Sequence, residues 1–80
     1  MFMHDIQNKQ IWYLDSGCSG HMTGCKSLLL HYKEKDGPAV TFGDNSKGYT
    51  KGSGTLRNGN VNLTNVAYVV RLKHNLISIS

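Results

Sequence analysis

The chain has little with which to staple or anchor itself. Its 80 residues include two cysteines, Cys18 and Cys25, and one proline, Pro38. Two thiols cannot build the disulfide framework that holds small secreted domains together, so both are read as reduced. No apolar run is long enough to cross a bilayer, and residues 1–10 lack the hydrophobic stretch of a signal peptide. These absences point to a soluble, intracellular chain with no membrane partner. Long helices are excluded as well, because nine glycines and the proline cut the sequence into short pieces.

Acidic residues are scarce beside basic ones. Five Asp and Glu stand against nine Lys and Arg, a formal charge of +4, with the basic residues scattered from Lys9 to Lys73. A nucleic-acid-binding face needs a basic stripe interleaved with stacking aromatics, and neither is found. The scattered charge is that of a solvated basic surface, so attraction to nucleic acid is expected to be at most weak and nonspecific.

What remains is a series of short apolar runs separated by turn residues. Strands are expected at residues 11–14, 39–42, 49–56, 61–63, 66–70 and 76–79, several with period-two alternation. Asp36-Gly37-Pro38, Gly43-Asp44-Asn45-Ser46 and Arg57-Asn58-Gly59-Asn60 supply the turns, and Asn58-Gly59 is a strong two-residue hairpin signal. One short helix or helical turn is placed between Cys25 and Lys33. Such a pattern argues a mainly β domain, a small barrel or sandwich with no internal repeat or linker. A domain of this size buries only about 60% of the surface of its unfolded chain, and dimerisation is one of the few remedies.

Within the first expected strand, Ile11-Trp12-Tyr13-Leu14 runs into Asp15-Ser16-Gly17. Asp-Ser-Gly is the signature of an aspartic peptidase half-site, in which two carboxylates share a proton around one water. The triplet occurs once, so either two copies of the chain meet to build the site or the site is not built at all. Taken alone, such a triplet arises by chance in roughly a few per cent of chains this short. It also serves as an ordinary turn, with Asp bonding its own backbone and Gly accepting positive φ. The apolar approach, typical of a buried strand, favours the half-site.

A wider set of residues then resembles one family. Trp12-Tyr13-Leu14-Asp15-Ser16-Gly17-Cys18-Ser19, His21-Met22-Thr23-Gly24, Val40-Thr41-Phe42-Gly43-Asp44-Asn45-Ser46-Lys47-Gly48, Asn65-Val66 and Leu72-Lys73-His74-Asn75-Leu76-Ile77-Ser78-Ile79-Ser80 resemble, in order and spacing, the protease segment of copia-type LTR retrotransposon Gag-Pol polyproteins. The resemblance implies a retropepsin-like β-barrel, closed or partly open, over residues 11–80, with residues 1–10 an unassigned extension and the C-terminal end truncated. It implies that Asp15 activates water together with its dimer mate, that Ser16 braces the two loops across the dimer axis, and that Gly17 lets the backbone approach substrate. The turn Gly43, Asp44, Asn45, Ser46, Lys47 and Gly48 becomes a flap over the substrate. The implied partners are a second copy of the chain, an extended polypeptide, and the neighbouring Gag and integrase regions. The implied place is the cytoplasm, in a virus-like particle, and neither metal nor cofactor is called for. The chain departs from the family pattern at Gly20, usually basic, at Cys25, often polar or acidic, and at Arg71, often glycine.

Rival chemistries fit less well. Cys18, His21, Cys25 and His31 are zinc-type ligands, but they crowd together without the paired spacing of a finger or knuckle. Asp15, Ser16 and His21 lack the Gly-x-Ser-x-Gly elbow of a hydrolase triad. Tyr13, Phe42, Tyr49 and Tyr68 offer stacking surfaces for a weak RNA-binding module, although aromatic residues on strands more often fill a core. A catalytically inert barrel with a structural or RNA-binding role is therefore the alternative to the peptidase.

Overall fold

Strand β2 (Gln10–Asp15), which carries the whole run Trp12-Tyr13-Leu14-Asp15, lies beside β8 (Asn75–Ser78) from the far end of the chain. The computed structural model describes residues 2–5 and 10–79. Among these the remaining strands are β1 (Phe2–Asp5), β3 (Met22–Thr23), β4 (Leu30–Glu34), β5 (Ala39–Thr41), β6 (Lys47–Asn58) and β7 (Val61–Val69). Their order in the sheet is β1-β2-β8-β3-β7-β6-β4, with β5 paired to β6 off that path. The end strands β1 and β4 do not pair, so the sheet is open: of the two forms expected, the closed barrel is not observed. Residues 2–5, expected as part of an unassigned extension, form β1 and pair antiparallel with β2.

Alternation along β2 and β8 decides which face is buried. Trp12 and Ile77 enter the core with Leu29, Leu56 and Val66, while Leu14, Leu28, Tyr32, Leu63 and Tyr68 pack around them. Ile11 and Tyr13, one residue out of phase with Trp12, stay exposed.

The two longest strands are one hairpin. Asn58 pairs with Val61, and Gly59 takes φ 59 at the first turn position, where a primed turn needs positive φ. The runs 61–63 and 66–70, expected as separate strands, are one strand interrupted by a bulge. Leu56 faces Leu63 and Gly54 faces Val66, so β7 carries an extra residue there, and Asn65 absorbs it with φ 57. The bulge moves the buried phase from Val61 and Leu63 to Val66, which explains why the apolar pattern reads as two pieces.

Of the short helix or helical turn expected between Cys25 and Lys33, the turn is observed, as the 3₁₀ turn Lys26–Leu28, and strand β4 follows it. Leu30, Lys33 and Glu34 find partners on β6, and ladder pairing outweighs the weak helical preference of so short a segment. Tyr32 on this strand has a buried hydroxyl with no hydrogen-bond partner among the described residues, and burial, followed by the charge of Glu34, holds its pKa above the usual value.

One buried polar pair ties the central strands. Thr23 Oγ1 donates to Asn75 Oδ1 at 2.6 Å and accepts from the Cys25 N–H at 3.1 Å, while Asn75 Nδ2 donates to the Ile11 carbonyl at 3.2 Å. Strands β2, β3 and β8 are thus joined through side chains as well as through their ladders. Thr23→Val, close in shape but without the hydroxyl, removes both bonds of the Thr23 Oγ1 and is expected to cost about 1–3 kcal/mol in urea denaturation. An unchanged midpoint would show that the pair contributes nothing.

Candidate functional site

Asp15 ends β2, where its backbone lies opposite Ser78 of β8. The chain then turns sharply, and the half-buried Asp15 carboxylate accepts the Gly17 N–H at 2.7 Å through Oδ1. This is the aspartate turn that the triplet favours. The same loop is pinned to β8 at several points. The Ile79 N–H donates to the Asp15 carbonyl at 3.2 Å, Ser78 Oγ donates to the Cys18 carbonyl at 2.9 Å, and the Ser78 N–H donates to His21 Nδ1 at 3.0 Å. The turn fixes the direction of the Asp15 carboxylate.

The second element is the hairpin of β5 and β6. Its turn is tight: the Phe42 N–H donates to the Ser46 carbonyl at 2.8 Å and the Asn45 N–H to the Phe42 carbonyl at 3.0 Å, with Asn45 at φ 69. Asp44 Oδ1 accepts from Ser46 Oγ at 2.5 Å and from the Ser46 N–H at 3.0 Å. These two bonds, with a smaller contribution from Lys73, hold the Asp44 carboxyl below its usual pKa. Lys47 and Gly48, expected in the turn, belong to β6 instead. Gly48 is buried beneath the Phe42 ring and the Val70 carbonyl, where any β-carbon would collide. Its glycine is a packing requirement at the base of the hairpin.

Asp15 and the hairpin face one groove of about 700 Å³. Asp15, Gly17, Cys18 and Ser19 line one wall, residues 38–44 and Ser46 the second, and Arg71, Leu72, Lys73 and His74 the third. Of the expected site residues, Asp15, Gly17, Gly43, Asp44 and Ser46 are brought together here, whereas Ser16, Asn45, Lys47 and Gly48 are not part of the lining. The third wall was missed by motif reading. Arg71 holds φ 74, a left-handed conformation that costs a non-glycine residue about 1 kcal/mol, and this is the position at which the resembling segments often carry glycine. The unexpected arginine was itself the available signal.

Three of the four candidate zinc ligands have other partners. Cys18 Sγ lies 3.4 Å from the Asp15 carbonyl, Cys25 Sγ lies 3.2 Å from Ser27 Oγ, and His21 accepts from Ser78. Among the described residues no group of three His, Cys, Asp or Glu side chains converges to hold a metal ion. The four aromatics divide: Tyr68 packs against the core, Phe42 lines the groove, and Tyr13 and Tyr49 are exposed, with Tyr13 edge-on to His74 at 5.1 Å.

Because the folded pKa of Asp44 is depressed, its bonds to Ser46 are complete above the ordinary carboxylate pKa and are lost as pH falls through the folded value. Ser46→Ala is expected to raise the Asp44 midpoint in an NMR titration, and an unmoved midpoint would assign the depression to another group. His21 can accept from Ser78 only through an unprotonated Nδ1. His21→Phe is therefore expected to destabilise the fold by about 1–3 kcal/mol in chemical denaturation, with His21→Asn, which keeps an acceptor, less damaging. Equal losses in the two variants would exclude the acceptor role.

Comparison with known proteins agrees with this architecture. The chain is 34% identical over 68 residues to a putative transposon Ty5-1 protein of Saccharomyces cerevisiae, a match covering 85% of this chain and 47% of that protein. The chain thus spans about half the length of the curated relative it matches. No solved structure matches. Residues 12–80 match the family described as Pol polyprotein, beta-barrel domain, and since this is most of the chain, the protein belongs to that family.

Proposed function

We propose that this domain is half of an aspartic endopeptidase of the retropepsin-like type, from a copia-type retrotransposon polyprotein, and that two copies complete the site. The observation that carries the reading is the placement of Asp15, held by Gly17 and β8 in the lining of a groove that a tight hairpin also lines. A carboxylate fixed in direction is what general acid and base catalysis requires.

In the complete dimer one Asp15 is ionised and the other protonated, because two carboxylates sharing a water cannot both carry charge. The ionised one takes a proton from the water as it attacks the peptide carbonyl, and the protonated one donates to the carbonyl oxygen. In the collapse of the tetrahedral intermediate the carboxyl that took the water proton gives it to the leaving nitrogen as the C–N bond breaks, and the other carboxylate takes back a proton from a gem-diol hydroxyl. Because water is the nucleophile, no covalent enzyme intermediate forms. Ser16, exposed beside Asp15, is assigned to brace the partner loop, and Gly17 leaves room for the substrate backbone. The hairpin turn from Gly43 to Ser46 is assigned as the flap. Strand β5 is hydrogen-bonded to β6 on one side, and its other edge offers an extended peptide a row of backbone groups. The substrate would be the parent polyprotein, including its Gag and integrase boundaries, cut inside a cytoplasmic particle.

Asp15→Asn retains a side-chain oxygen to accept from Gly17, so the fold should survive while the acid–base pair does not. Cleavage of the parent polyprotein is expected to fall by about 10³-fold or more, with an unchanged melting temperature. Cleavage that persists in Asp15→Asn, or that is absent from the unaltered polyprotein, would favour the structural or RNA-binding module.

A further inference from the structure

The third wall of the groove carries positive charge that the cleavage chemistry does not use. Arg71 and Lys73 both line it and both are exposed. Lys73 has an anion close by, since its charge contributes to the lowered pKa of Asp44 across the groove. Arg71 enters no ion pair among the described residues. It also occupies a left-handed backbone position, φ 74, that glycine or asparagine would fill with less strain. Solvation alone gives no reason for a cation at this point, because the neighbouring exposed positions carry no such penalty.

We infer that Arg71 is a specificity-determining residue of the groove, which selects extended peptides bearing an acidic side chain where they pass the turn between β7 and β8. This inference rests on the reading of the groove as a peptide cleft and adds to it a charge preference. A guanidinium offers two parallel donors to a carboxylate, and its length lets it reach into the groove from an exposed backbone. An extended peptide is favoured over RNA because Val40 and Phe42 line the same groove, and Asp15 and Asp44, which also line it, would repel a continuous phosphate chain.

The test uses the Asp15→Asn protein, so that binding is read without cleavage, and fluorescence anisotropy with extended peptides that differ only in Glu, Gln or Lys at one scanned position. At one or two positions the Glu peptide is expected to bind about fivefold more tightly than the Gln peptide at low salt. That preference should vanish in Arg71→Gly, persist in Arg71→Lys, and be accompanied in Arg71→Gly by an equal or higher melting temperature. Equal affinity for Glu and Gln peptides at every position, absence of peptide binding, or an RNA oligonucleotide that alone responds to Arg71→Gly would overturn it. Digestion of the same peptides by the unaltered protein separates the two claims. Cleavage without an acidic preference removes the specificity assignment and leaves the peptidase. An Arg71-dependent preference without cleavage removes the peptidase and leaves the assignment.

Discussion

Parallel pairing of β2 with β8 is the constraint on which the site depends, because it brings the two ends of the described chain together under one loop. Asp15 faces Ser78 at the end of that ladder, and the next residues of both strands are cross-linked through Cys18, His21 and Ile79. A parallel pair cannot be closed by a tight turn, so everything from the Asp15 loop to the β7–β8 turn serves as its crossover. The hairpin of β5 and β6 and the cationic turn at Arg71 both lie within that crossover. They reach the groove because the crossover folds back on the strand that started it. The buried Thr23 and Asn75 side chains fix β3 against β8 and so set the depth at which the loop sits.

The same topology leaves the fold thinly provided. Five buried residues form the central cluster, and the sheet ends on unpaired edges at β1 and β4. The β6–β7 hairpin is the most extensively paired unit, while the β2–β8 and β3–β8 pairings join segments far apart in the chain. Polar fastening replaces some of the missing apolar burial: the Thr23–Asn75 pair and the His21–Ser78 bond join distant segments where a larger protein would place another layer of side chains. The proposed chemistry requires a second copy, because the chain carries the Asp-Ser-Gly triplet once.

The turns and most strands were legible because glycine, asparagine and period-two alternation act locally. The β6–β7 hairpin and the turn at Gly43 to Ser46 follow from residues that accept positive φ. Non-local consequences were not legible. The Asn65 bulge inverts the buried phase of β7 and makes one strand look like two, and the segment after Cys25 becomes a strand only because β6 lies beside it. Within the site, Asp15 and the hairpin came from motifs, but their meeting in one groove depends on the parallel pair, which no local pattern announces. Arg71 stood out in the sequence only as a departure, and its left-handed backbone gives that departure a physical content.

The central claim is that Asp15 is one half of a shared carboxylate pair, and the order of the reaction in protein concentration tests it most directly. Initial rates of cleavage of a single peptide should rise with the square of protein concentration when the chain is dilute, and become linear once pairing saturates. Rates that remain linear down to the lowest measurable concentration, with sedimentation showing a single chain throughout, would contradict it.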